Sequence, residues 1–261
     1  MFKKILLSIV VIILAIVLFA VYGRKDLTLS KAYMKEKYTQ SNSHFLKWKG
    51  GDLHYTESGS GFPILMIHGF GGSNWDFKIL DSLLNDKYRI IRIDLPGFGL
   101  SDFPESGYKE DFLKTYAEYF TFLIDTLHLD SMYVMGNSLG GMMACNLELL
   151  HPANVKKMIL FNSAGYDMEA ALKTTNAEIF RKKYVQLLLK HGLPEFVTNS
   201  RIGRICYDKA ILTKPRLKRV NEMWNREGNL KHIMTMATSG QFPDEKQEPD
   251  LCIFANHGSS R

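Results

Sequence analysis

Cysteine is scarce in this chain of 261 residues: Cys145, Cys206 and Cys252 are odd in number and lie far apart. No CxxC pair is present, so the sequence predicts neither a disulfide framework nor a zinc site. We expect the three thiols to be small apolar side chains in the interior. The histidines show no metal-ligand spacing with a nearby acid, and we therefore predict no metal and no other cofactor.

A large excess of one charge is also missing from most of the chain. The formal net charge is +6, but residues 1–25 contribute four basic residues and no acid. The remainder carries 29 basic and 27 acidic residues, which is no electrostatic footprint for nucleic acid. Hydrophobic residues (46%) and aromatic residues (12%) are too frequent for a disordered chain and are sufficient for a folded core.

Charge is absent from residues 5–22, a run of 18 positions in which only Ser8 and Tyr22 are polar. As a helix this run is about 27 Å long, close to the thickness of the hydrocarbon core of a bilayer. We therefore predict that residues 1–25 form a single-pass membrane anchor. The alternative is a cleaved signal peptide of a secreted or periplasmic protein, but the end of the run, FAVYG, is a poor cleavage site.

The rest of the chain divides into regions of different pattern. Residues 26–52 are predicted to form a polar stalk with one helix and the start of a hairpin turning near Gly50-Gly51-Asp52. Strand and helix patterns alternate over residues 53–167, which predicts an α/β core with a mostly parallel sheet. Residues 168–245 show helical patterns only and are assigned to a helical cap, and residues 246–261 to an incomplete return to the core.

A serine between glycines follows the buried strand SMYVMG, in the sequence Gly136-Asn137-Ser138-Leu139-Gly140. This fits the G-x-S-x-G turn between a strand and a helix, whose neighbouring glycines allow the serine hydroxyl to stand above the strand ends. The helix that follows presents its N-terminal amides to an anion. We predict that Ser138 is a catalytic nucleophile and that the amide of Leu139 is an oxyanion donor; a glycine-rich turn without catalysis is the alternative.

Two further motifs accompany the serine: His68-Gly69-Phe70-Gly71-Gly72 after the first buried strand, and DLPGFGLS over residues 94–101. With these motifs, residues 53–167 resemble the α/β-hydrolase superfamily, and the likeness is greatest to membrane-tethered or lipase-like hydrolases. The resemblance implies that the amide of Phe70 is the second oxyanion donor and that His68 is a structural or oxyanion-loop residue and not the catalytic base. Ser138 stands where epoxide hydrolases and haloalkane dehalogenases carry aspartate, which disfavours those reactions. Surface, loop or capping positions are expected for the remaining histidines, His44, His54, His128, His151, His191 and His232.

The resemblance also implies a catalytic acid and a histidine, in that order, after the cap. The expected position of the acid, after the apolar run PDLCIFA, is occupied by Gly258, and the printed sequence ends three residues later. We therefore expect the chain to be truncated at its C-terminus, without the last strand and the histidine loop. In the alternatives, His257 is the base or Asp167 is the acid.

These patterns together predict a membrane-bound serine hydrolase that cleaves a carboxylic ester, including lipid-like esters. The alternatives are a catalytically deficient remnant and a carbon–carbon bond hydrolase or acyltransferase on the same fold. The expected partners are a small-molecule ester and, through the N-terminal helix, a membrane, but no nucleic acid. Residues 168–232 hold 14 basic and 6 acidic residues, which fits either a solvated surface or contact with an anionic membrane.

Overall fold

A central six-stranded sheet organises the protein, with strand order β1-β2-β4-β3-β5-β6. The computed structural model describes residues 2–22, 26–108, 112–164, 189 and 191–239. β1 and β2 are antiparallel to their neighbours, whereas β4, β3, β5 and β6 run parallel, as predicted for an α/β fold. The strands are β1 (Ser43–Trp48), β2 (Gly51–Ser58), β3 (Phe62–Ile67), β4 (Tyr88–Ile93), β5 (Met132–Asn137) and β6 (Val155–Phe161).

Eight α-helices are assigned within the described residues. Two short 3₁₀ turns, Asn74–Phe77 and Glu105–Tyr108, follow β3 and β4, and a third, Lys209–Ile211, lies in the cap. The helices are α1 (Phe2–Tyr22), α2 (Lys31–Tyr38), α3 (Lys78–Leu84), α4 (Phe112–Leu127), α5 (Leu139–Leu150), α6 (Glu195–Ile205), α7 (Lys214–Asn225) and α8 (Asn229–Ser239).

The core forms where apolar strands meet amphipathic helices. Ile64, Leu65, Met66 and Ile67 of β3 are all buried, because a parallel strand is covered on both faces. α4 buries the apolar stripe that its sequence predicts, with each of its four members no more than 7% exposed. The members of this stripe are Phe120, Leu123, Ile124 and Leu127.

The segment predicted to be a polar stalk is packed against the body. Met34 of α2 is fully buried. Because most of the helix is polar, its sequence does not indicate that this residue faces the core. Before α2, Leu27 N–H donates to His191 O at 2.7 Å and Leu29 N–H donates to Asn225 O at 2.8 Å. The hairpin that follows turns at Lys49 and Gly50, both with positive φ, slightly earlier than predicted.

The cap is helical over its described part. The helical piece predicted over residues 216–234 is two helices, α7 and α8, separated at Arg226–Gly228. The break is stabilised by the buried Arg226 guanidinium, which donates to Leu100 O at 3.0 Å and to Asp102 Oδ1 at 2.8 Å. The predicted cap helix over residues 176–192 lies almost wholly outside the described residues, and the predicted strand over residues 249–255 lies entirely outside them.

Within the part of the chain that the structure describes, no helix is long and apolar enough to cross a bilayer.

Candidate active site

Ser138 occupies a strained turn between β5 and α5. Its φ of 53° and ψ of −118° lie where residues with a side chain are rarely found, at a cost of roughly 1–3 kcal/mol. Hydrogen bonds on both sides of the residue hold this conformation. Its N–H donates to Phe161 O at 2.9 Å, and its carbonyl accepts from Gly141 N at 2.9 Å and from Ala164 N at 3.0 Å. The side chain is half-buried, at the carboxyl end of the parallel strands.

The glycines beside Ser138 are required by close backbone packing. A Cβ on Gly136 would lie 2.4 Å from Gly140 O, and a Cβ on Gly140 would lie 2.1 Å from Ile67 O. Both distances are far below a van der Waals contact, so neither position accepts a side chain without movement of the backbone. The G-x-S-x-G pattern therefore allows β3, β5 and α5 to approach one another closely.

The two predicted oxyanion donors follow neighbouring strands. β3 pairs with β5, with Ile67 opposite Gly136, so the loop after β3 and the turn after β5 emerge side by side. Gly69 lies against the turn, since a Cβ on it would be 3.3 Å from Ser138 Cβ. Leu139 is the first residue of α5, and its amide therefore has no intrahelical acceptor. The structure brings these segments together, and the roles of Ser138, Phe70 and Leu139 remain predictions.

His68 and Trp224 fix the loop that carries Phe70. The buried His68 ring lies with Nδ1 2.7 Å from Gly69 O, and its Nε2 accepts from Leu95 N–H at 3.0 Å. His68 is thus a link between two loops, in agreement with its predicted structural role. Trp224 of the cap donates its indole N–H to Gly71 O at 2.7 Å. Nothing in the sequence of α7 distinguishes this tryptophan from an ordinary core residue.

A serine, a histidine and an aspartate lie together elsewhere in the sheet. His54 Nδ1 is 2.7 Å from Asp94 Oδ2, and His54 Nε2 is 2.8 Å from Ser43 Oγ. Ser43 lies on β1, four strand positions from β5, which places it about 19 Å across the sheet from Ser138 at roughly 4.8 Å per strand. These three residues therefore form a network separate from the Ser138 turn.

The network is held by a buried carboxylate. Burial raises the pKa of Asp94, but the hydrogen bond from His54 and the amide of Leu100 outweigh it, and the net pKa lies below its ordinary value. Asn74 N–H adds a third hydrogen bond, at 2.7 Å. The ionised Asp94, directly after β4, thus joins β2, the segment after β3 and the loop after β4, because each of these three donates a hydrogen bond to it.

Two histidines were wrongly predicted to lie at surface, loop or capping positions. His54 and His232 are both buried. The two ring nitrogens of the buried His54 lie within hydrogen-bond distance of Asp94 and Ser43. His232 Nε2 lies 3.1 Å from the hydroxyl of Tyr116. Both depend on contacts between residues distant in sequence, which a local pattern does not reveal. By contrast, His151 does end α5, as predicted.

Within the described residues, Ser138 has no histidine partner. Seven of the eight histidines are in the described residues, and none of these seven forms a hydrogen bond with Ser138 there. The other sequence candidates, Asp167 and His257, and the position of Gly258 lie outside the described residues. Within the described part of the chain, no group of acidic, histidine or cysteine residues could hold a metal ion.

Comparison with known proteins identifies relatives over most of the chain. The family model for the alpha/beta hydrolase fold matches residues 63–255. The 2-hydroxymuconate semialdehyde hydrolase of Pseudomonas sp. strain CF600 is 34% identical over 120 residues, which is 44% of this chain and 40% of the relative. A 2-hydroxy-6-oxononadienedioate/2-hydroxy-6-oxononatrienedioate hydrolase of Paraburkholderia phymatum is 27% identical over 219 residues, covering 77% of this chain and 73% of the relative.

Solved structures share the same architecture. Cfl2 from Burkholderia cenocepacia superimposes with a TM-score of 0.65 and 21% identity, covering 76% of this chain and 70% of Cfl2. At 21% identity, this similarity shows a shared fold and nothing about the reaction.

Proposed function

Because the chain belongs to the α/β-hydrolase fold family, matched over residues 63–255, we propose that it is a serine hydrolase that cleaves a carboxylic ester. The observation that carries the proposal is the strained turn of Ser138, with φ of 53°, at the start of α5. Strain of this kind persists where surrounding structure imposes it, and it is concentrated at functional sites. An aspartate nucleophile, which opens epoxides, is absent from the position.

The proposed reaction begins with attack of Ser138 Oγ on the ester carbonyl. The amides of Phe70 and Leu139 stabilise the negative charge on the carbonyl oxygen, and the N-terminus of α5 adds a favourable dipole. The alcohol leaves, and water then releases the acid from the acyl-enzyme. A serine needs a base to accept its proton. Of the histidines in the printed sequence, His257 alone lies outside the described residues, and it is the candidate to be tested.

A fluorophosphonate probe tests the nucleophile, because the probe labels only an activated serine. We expect labelling of the parent chain and its loss in Ser138→Ala. Ser43→Ala is the matched control, because Ser43 lies in a network with His54 and Asp94 away from Ser138, and we expect this variant to retain labelling. Labelling that persists in Ser138→Ala would assign the activity to another residue, and labelling that persists in His257→Ala would exclude His257 as the base.

Hydrolysis of a carbon–carbon bond is a second candidate. The relatives named above are hydrolases of 2-hydroxymuconate semialdehyde and of 2-hydroxy-6-oxononadienedioate, and the chain spans only 40% of the first of these. Ser138 and the two amides suit this reaction too, since it also proceeds at a carbonyl carbon. Turnover of a 2-hydroxy-6-oxodienoate and of a p-nitrophenyl ester, compared in parent and Ser138→Ala, separates the two candidates.

We also propose that α1 attaches the protein to a membrane. Its support is the uncharged run of residues 5–22 in a helix of 21 residues. The described apolar side chains of this helix are exposed, among them Leu7 (65%), Leu14 (60%) and Ile16 (60%). Exposed apolar side chains in such number mark a site of contact with lipid or protein. Attachment through α1 would place the hydrolase at a membrane surface.

A further inference from the structure

Besides the N-terminal 25 residues, one part of the cap carries a concentration of positive charge. Residues 201–219 contain seven basic residues and one acidic residue, Asp208. The chain has 33 basic and 27 acidic residues, so 26 of each lie outside this segment. The net charge of the segment, +6, therefore equals the net charge of the whole chain. Arg204, Lys209, Lys214 and Lys218 are exposed to solvent. A concentrated charge of this kind attracts an anionic surface.

The same segment exposes large apolar side chains. We call residues 204–214, from the end of α6 to the start of α7, the cap loop. Ile205 is 82% exposed, Tyr207 is fully exposed and Ile211 is 44% exposed. Lys209 bonds to the carbonyls of Gly203 and Cys206, which fixes the loop at the end of α6. Apolar and aromatic side chains among basic residues are typical of a surface that enters the interface of a bilayer.

The chain that leaves α1 is joined directly to the cap. Leu27 and Leu29 form backbone hydrogen bonds with His191 and Asn225, and Leu29 O accepts from Glu227 N–H at 2.9 Å. Only residues 23–25 separate α1 from Asp26, so the covalent chain spans at most about 14 Å between Tyr22 and Asp26. A membrane that holds α1 therefore lies close to the cap.

From these three observations we infer that the cap loop docks on the surface of an anionic lipid bilayer. The inference rests on the proposed membrane attachment through α1 and not on the identity of the substrate. Ile205 and Tyr207 enter the interfacial region, while Arg204 and Lys214 face the lipid phosphates. The cap, which in this fold covers the carboxyl ends of the strands, would then face the membrane.

Limited proteolysis of the full chain in lipid nanodiscs tests the docking, because both faces of a nanodisc are open to trypsin. The discs contain phosphatidylcholine alone or mixed with phosphatidylglycerol. Cleavage after Arg204 and Lys209 is measured by mass spectrometry, with the exposed Lys87 as the internal control site. We expect cleavage in the cap loop to fall at least tenfold in the anionic discs, while cleavage after Lys87 stays unchanged, and high salt to restore it.

A variant with Ile205→Ser and Tyr207→Ser is the matched control, because both side chains are exposed and their loss leaves the core intact. We expect this variant to be cleaved in anionic discs as fast as the parent in detergent. Equal cleavage of the parent in all discs overturns the inference, as does equal protection in both kinds of disc. Protection in detergent that rises with protein concentration assigns the surface to a second copy of the chain.

Failure of the attachment proposal gives a different result. In that case the chain elutes apart from the nanodiscs. The same proteolysis is then done with added phosphatidylglycerol vesicles, and cleavage of the cap loop at an unchanged rate would overturn the docking.

Discussion

His232 lies wholly inside the protein, against the rings of Phe98, Phe103 and Phe112. Burial lowers its pKa from 6.5 to about 3, because the charged imidazolium is poorly solvated there. The unfolded chain keeps the ordinary pKa. Between these two values the unfolded state binds a proton that the folded state does not, so the stability falls as the pH falls through 6.5 toward 3.

The replacement His232→Phe should remove this dependence while filling the aromatic site. From pH 7 to pH 5 we expect the parent to lose about 2 kcal/mol of unfolding free energy more than the variant loses. Thermal unfolding of both proteins across this range measures the difference. Parallel loss of stability in the two proteins would show that His232 is not the group responsible. Asp94, with its lowered pKa, acts in the same direction at lower pH.

At the residue scale, the sequence predicted the turn at Ser138 but not the residues that support it. Ser138 and its glycines follow from a local pattern, because a tight turn imposes its own residue types. The contact of Trp224 with Gly71 joins residues 153 positions apart, and no local pattern predicts it. The buried His54 was missed for a related reason, since its partners Asp94 and Ser43 come from other elements.

The packing of α5 against the sheet depends on glycine at position 140. A methyl group there would overlap Ile67 O, so we expect Gly140→Ala to destabilise the protein by more than 3 kcal/mol. Gly203 is the matched control, because a Cβ on it meets nothing within 4 Å and it lies inside α6. Gly203→Ala should stabilise by up to about 1 kcal/mol through helix propensity. Similar melting temperatures for the two variants would refute the close-approach argument.

α7 contacts the loop that carries Phe70 through the hydrogen bond from Trp224 to Gly71 O. Trp224→Phe keeps an aromatic ring and removes the N–H donor. If the proposed ester hydrolysis is correct, we expect turnover to fall roughly tenfold in kcat with little change in KM, because the displaced Phe70 amide is the one proposed to stabilise the transition state. Trp48→Phe, a similar change in the core beside α4, should leave kcat unchanged. If both variants lose activity equally, general destabilisation is the cause.

At the element scale the strands and helices of residues 53–164 agree with the sequence patterns, because buried parallel strands and amphipathic helices have distinct periodicities. The break between α7 and α8 was not predicted. It depends on Arg226, whose guanidinium is satisfied by Leu100 and Asp102 from another part of the chain. From sequence alone, a polar residue within a helical pattern is predicted to be exposed, because its partners distant in sequence are not known.

At the scale of the whole molecule, the segment before α2 joins the N-terminal helix to the cap. The sequence predicted a stalk, since residues 26–42 are polar and short of apolar periodicity. Their association with the cap is made by backbone atoms of Leu27 and Leu29, which leave no trace in a side-chain pattern. The proposed anchor is therefore coupled to the cap and not held away from it.

This arrangement defines where the chain is cut to test the anchor. Removal of residues 2–25 keeps Asp26–Ser30, and with them the hydrogen bonds to His191 and Asn225, so we expect the remaining protein to fold. It should leave the membrane fraction at high salt, because the apolar run that partitions into lipid is gone. Sedimentation of membranes from cells that express each form measures this.

A full-length variant with Ile13→Lys and Leu14→Arg separates the effect of apolarity from that of length. Each charge in the middle of a helix costs about 2.5–3.5 kcal/mol on insertion, so the pair should also release the protein at high salt. Fluorophosphonate labelling of the released forms verifies that they are folded. Retention of the folded, shortened chain in salt-washed membranes would disprove the anchor, and the cap loop with its exposed Ile205 and Tyr207 would then be the part that holds the protein to lipid.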